Sequence, residues 1–191
     1  MYTIMMAINE SNKPVGNQIN PDLNVCIVKE NTLTGQKTWL YAHNIVTNDG
    51  DLYYAQRATE TSPTSDFSGS NGRMELRTGS ATPAKGDVFT QVTTPIPTSI
   101  QEIDSTYPKV NDGDSDNTGA GTDIATWRTS WTTGDFNSNA IIGGCIHVAG
   151  GNSGATTPGA TKLLTHFSIT SFNKTASDTL KIFVNHTFNG V

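Results

Sequence analysis

The chain has 191 residues and a net charge of −5, with 35% hydrophobic and 15% charged residues. Both fractions are low for a globular protein, and the remainder is rich in Thr, Ser, Asn and Gly, a mixture that suits strands and turns and excludes a helical bundle built on Ala, Leu, Glu and Lys. The acidic balance argues against a nucleic-acid partner, which needs clustered Lys and Arg, and no run approaches the ~20 apolar residues of a membrane span.

Residues 1–21 form a weakly patterned arm. Its apolar start, MYTIMMAI, lacks the basic stretch of a secretory signal, and Pro14, Gly16 and Pro21 make the rest loop-like. A strand is expected over 23–29 (LNVCIVK) and a second over 38–46 (TWLYAHNIV). Asp49-Gly50 then reads as a hairpin turn leading to a returning strand over 52–58, which gives a three-strand meander. Residues 59–73 form a polar loop of a length usually tied to a partner or a function. Short strands follow over 74–77 and 88–92, then a Pro-rich irregular stretch.

Residues 124–132 alternate Ala125, Trp127, Thr129 and Trp131 on one face. Residues 140–149 form the next strand, where Gly143-Gly144 marks a bulge or a close backbone approach. The clearest pattern is the last. In 180–188, Leu180, Ile182, Val184, His186 and Phe188 share one face, with Lys181, Phe183, Asn185 and Thr187 on the other. A matching run over 163–169 suggests a terminal hairpin that sets Leu163 and Phe167 against Ile182 and Val184. Nine or ten short strands without a long amphipathic helix predict an all-β fold. We read a single antiparallel β-sandwich or jelly-roll domain over 22–191, with long loops and the N-terminal arm.

The candidate chemistry is sparse. Seven acids lie between Glu102 and Asp135 against only Lys109 and Arg128, so this segment carries the whole net charge. Within it, Asp112, Asp114, Asp116 and Asp123 occupy positions 1, 3, 5 and 12 of a calcium-loop template. Asn117 stands where that template has Gly, Asp replaces the terminal Glu, and no flanking helices are expected; the plainer reading is a solvated acidic turn. His43, His147, His166 and His186 each fall inside an expected strand without the close pairing of a zinc site. Gly151-Asn152-Ser153-Gly154 lacks the strand-to-helix setting of a nucleophile elbow. Trp127 and Trp131 read as core aromatics, with an exposed sugar platform as the other use of such a stripe. Cys26 and Cys145, in apolar runs, read as reduced and buried. Asn9, Asn173 and Asn185 begin Asn-x-Ser/Thr triplets. No catalytic, cofactor-binding or metal residues are assigned.

From Tyr107 to Val191, YPKVNDGDSDNTG, TWRTSWTTGDFNSNAIIGG and LLTHFSITSFNKTASDTLKIFVNHTFNG resemble C-terminal modules of tailed-bacteriophage virion proteins. The resemblance implies a non-enzymatic β-rich part of the virion. The leading expectation is a capsid decoration or cement protein, a homotrimer bound to the major capsid protein. The alternatives are a tail, neck or baseplate component and, in a different class, a carbohydrate-binding module. The arm, the 59–73 loop and the acidic segment are the expected contact regions.

Overall fold

The computed structural model describes residues 24–89, 92, 94–148 and 162–188. The expected arm over 1–21, Ala149, the Gly151–Gly154 loop and the Asn9 triplet lie outside them.

Among the described residues nine strands form one antiparallel sheet: β1 (Val25–Asn31), β2 (Gln36–Val46), β3 (Gly72–Arg77), β4 (Gln101–Glu102), β5 (Lys109–Val110), β6 (Ile124–Trp131), β7 (Ser138–Val148), β8 (Leu163–Lys174) and β9 (Asp178–Thr187). Their spatial order is β4-β3-β7-β8-β2-β1-β9-β6-β5. The fold is thus all-β, as the composition implies. The sheet turns its corner at β2, whose residues Gln36–Ala42 pair with β1 and whose residues His43–Val46 pair with β8. Switching partners along one strand lets the sheet curl around its own inner face. Beyond β4 the chain reaches the far side of the curl, where the Asp104 amide donates to the Arg128 carbonyl on β6 (2.8 Å).

The expected terminal hairpin is not formed. β8 and β9 follow each other through a tight turn, yet β8 pairs with β7 and β2 while β9 pairs with β1 and β6. The reason lies in β1. Its VCIV run is apolar on both faces, so it needs an interior place in the sheet, and it takes all of β9 from Asp178 to Val184 as its partner. Phe167, Ile182 and Val184 do meet in the main core, but Leu163 packs outside it with Val92 and Cys145.

The expected strand over 52–58 is a helix, α1 (Asn48–Ala58). Thr47 caps it, its hydroxyl accepting from the Gly50 amide (3.2 Å), and Asp49 and Asp51 sit in the first turn with Arg57 in the last. These charges complement the helix dipole. Gly50 serves close packing: a Cβ there would overlap the Leu164 carbonyl oxygen on β8. The three-strand meander therefore reduces to the β1–β2 hairpin. Val88, Phe89 and Val92 belong to no strand; the Val92 amide closes a turn onto the Phe89 carbonyl. Gly143 and Gly144 fulfil both expectations. The β7–β8 register shifts between Ile141 and Gly143, and a Cβ on Gly143 would overlap the Phe167 carbonyl.

Trp127 and Trp131 are each 1% exposed and sit in the core. Their indole N–H groups donate to the Phe67 carbonyl (3.3 Å) and the Ser99 carbonyl (2.7 Å). They offer no sugar platform. Phe67, itself fully buried, anchors the 59–73 loop to the core.

Candidate functional site: polar clusters beneath two covering segments

The strand alternation leaves each sheet face with an outer row, and segments of the chain cover two of these rows. On the β2-β1-β9-β6 side the outer row is Cys26, Val28, Trp39, Tyr41 and Phe183. The acidic segment lies across it. Successive Asx turns shape that segment: the Asp112 carboxylate accepts the Asp114 amide (3.2 Å), Asp114 accepts the Asp116 amide (3.0 Å), and Asn117 accepts the Gly119 amide (3.1 Å). The Trp39 indole and the Cys26 thiol both donate to the Asp116 carbonyl, and Thr118 donates to the Tyr41 hydroxyl.

The carboxylates are spent on this docking. Asp116 accepts from Lys37 (3.0 Å) and Lys181 (2.9 Å), and Asp114 from Arg128 (3.0 Å) and Lys181 (3.4 Å). Asp112 accepts from the Tyr107 hydroxyl and the Asn117 amide. Burial works to raise the Asp116 carboxyl, but Lys181 and Lys37 overcome it and hold the group below the usual carboxylate range. The Tyr107 ring stacks under the Arg128 guanidinium at 4.4 Å, and burial, with Asp112 next, pushes its phenol up to about 12. Asp112, Asp116 and Asn117 are buried and Asp123 is exposed. The segment is therefore neither a solvated turn nor a convergent calcium loop. Among the described residues no group of three or more His, Cys, Asp or Glu is placed to hold a metal.

The second cluster lies on the outer face of β3-β7-β8. Arg73, Glu75 and Arg77 alternate on β3. Across the ladder Glu75 faces Cys145, and Cys145 faces His166. All of these, and His147, are at most 2% exposed. Both Glu75 carboxyl oxygens and the Nε2 atoms of His147 and His166 have no hydrogen-bond partner among the described residues. The nearest approach is 3.7 Å, between Glu75 Oε2 and His147 Nε2. Burial pushes the Glu75 carboxyl up to about 7 and the His147 imidazole down to about 4, so between those values the pair holds one proton, on the carboxyl. Burial also lowers His166, against the pull of Asp87, and drives the Cys145 thiol well up. Cys26 and Cys145 are both buried, as expected.

His186 makes a third polar site. Asn44 Nδ2 donates to its Nε2, and its Nδ1 bonds the Tyr54 hydroxyl of α1. Full burial lowers it to about 3. His43 is half-buried. The structure does not gather the four histidines into one site. Asn185 is buried and Asn173 exposed. The Glu75 cluster escaped the sequence reading because Arg73, Glu75 and Arg77 at alternate positions look like an ordinary solvated strand face.

No family model, curated protein or solved structure matches the chain.

Proposed function

We propose that the chain is a non-enzymatic structural component of a tailed-phage particle, a capsid decoration or cement protein acting as a homotrimer on the major capsid protein. The finer reading of its curled sheet is a β-sandwich of jelly-roll type. One observation carries the non-enzymatic reading: the two polar clusters described above use their reactive groups internally. The acidic segment spends its carboxylates on Lys37, Lys181 and Arg128, and Glu75, His147, His166 and Cys145 are sealed beneath the chain. Such an arrangement favours a rigid body that works by contact, and many copies on a shell multiply a modest contact energy.

Exposed apolar points at the periphery, Leu33 in the β1–β2 turn (81% exposed) and Val110 on the edge strand β5 (59%), suit contacts of this kind. A tail, neck or baseplate component would use the same surfaces. The carbohydrate-binding alternative loses its aromatic stripe to the core. The test is reconstitution. Particles lacking the protein should rupture at a lower temperature than complete ones, and adding purified chain should restore them. Cleavage of host-surface polysaccharide by the purified chain would overturn the proposal.

A further inference from the structure

The segment 79–89 crosses the outer face of β3-β7-β8 and is held there mainly by polar contacts. Arg77 donates to the Gly79 and Ala81 carbonyls, and Ser168 donates to Ala81 (2.8 Å). The Asn48 amide donates to the Lys85 carbonyl (2.9 Å). Two contacts fall on histidines: His166 Nδ1 donates to the Asp87 carboxylate (2.8 Å), and the Phe89 ring lies 4.7 Å from the His147 ring. His147 Nδ1 donates to its neighbour's carbonyl (2.9 Å), so in both histidines Nε2 is the unprotonated nitrogen, fully buried and unpartnered.

We propose that His166 and Asp87 form an acid-released clasp that holds the 79–89 segment over this face and opens it when His166 takes up a second ring proton. The geometry supplies the reason. A proton added at His166 Nε2 meets no acceptor among the described residues, and the charge it brings lies close to the buried Arg77 guanidinium. A charged imidazole is better solvated once the segment that carries Asp87 lifts away, so protonation favours the open form.

The other ionisable groups facing the clasp set the size of the response. From β3 come Arg73, Glu75 and Arg77, from β7 Cys145 and His147, and from the segment Asp87 and Lys85. Arg73 is paired with Glu102 (3.2 Å) and Lys85 with Asp51. Cys145 stays a neutral thiol. Glu75 and His147 hold one proton between them while closed, on the carboxyl. Once exposed they still hold one between about pH 4.5 and 6.5, on the imidazole. They cancel over that window, which leaves one net proton, that of His166. Opening should therefore increase as pH falls below about 6.5. The inference is independent of the virion reading.

Hydrogen–deuterium exchange of the whole chain, corrected for intrinsic rates, tests it at pH 7 and pH 5, with 79–89 compared against β1 and β9. Protection of 79–89 should fall on acidification, ahead of β1 and β9. His166→Gln should remove the response, and Glu75→Gln, which frees His147 to respond as well, should steepen it. The wild-type comparison stands even if either variant fails to fold. Equal protection of 79–89 at the two pH values, or a loss shared equally by β1 and β9, would overturn the clasp.

Discussion

Asn117 and Asn185 face each other through a reciprocal pair of amide hydrogen bonds, each Nδ2 donating to the other's Oδ1 at 2.9 and 3.1 Å. Asn185 Oδ1 also accepts from Thr126 (2.7 Å), so the amide on β9 ties both the acidic segment and β6. This buried pair fixes the register of the segment against the sheet more specifically than its ion pairs do, since Lys181 is 38% exposed and its bonds are screened. Asn185→Ala strands the Asn117 amide and the Thr126 hydroxyl. A loss of about 2–3 kcal/mol is expected, read as a lowered urea midpoint.

The core assignment of Trp127 leads to a larger number. Trp127→Ala removes a fully buried indole and its bond to the Phe67 carbonyl, and the expected cost is about 3–5 kcal/mol. Melting indistinguishable from wild type would instead mark an exposed ring.

Gly50 gives a counterintuitive case. Alanine is favoured over glycine inside helices by about 1 kcal/mol, yet a Cβ at this position overlaps the Leu164 carbonyl. Gly50→Ala should therefore destabilise the protein, by about 1–3 kcal/mol as overpacking does. Thermal unfolding followed by circular dichroism measures the sign.

Stability should peak near pH 6.5. His147 and His186, lowered to about 4 and about 3 from an ordinary 6.5, contribute fully above 6.5 and are lost as pH falls through that range; His166, also lowered, adds to this limb. Glu75, raised from 4.5 to about 7, contributes fully below 4.5 and its contribution is lost as pH rises through about 7. Glu75→Gln should thus gain about 2–3 kcal/mol over wild type at pH 8 and much less at pH 4. Urea titrations at the two pH values give the comparison.

Calcium should leave the protein unchanged, because Lys37, Lys181 and Arg128 already occupy the carboxylates of Asp114 and Asp116. Calorimetric titration should show no binding heat, and the melting temperature should not rise.

The strand faces were legible because period-2 alternation survives any arrangement of the sheet. Leu180, Ile182 and Val184 face the core and Phe183 the other side, as the pattern requires. Strand partners were not legible. The link between β8 and β9 suits a hairpin equally well, and only the competition of β1 for β9 decides otherwise. Asp49-Gly50 misled because the same dipeptide serves a hairpin and a capped helix start, and the difference lies in Leu164, over a hundred residues away. The acidic segment announced its charge but not its counter-ions, since Lys37 and Lys181 come from strands far along the chain. Glu75 was hidden for the same reason: the sequence shows a charged strand residue, and its burial is set only by the fold.

The most direct test of the proposed structural role is whether the chain is present in purified tailed-phage particles, and at what copy number, measured by quantitative mass spectrometry against the major capsid protein. The account predicts an abundance comparable to that of the shell subunit. Absence from the particle would contradict it, and an abundance far below the shell subunit would contradict the capsid assignment.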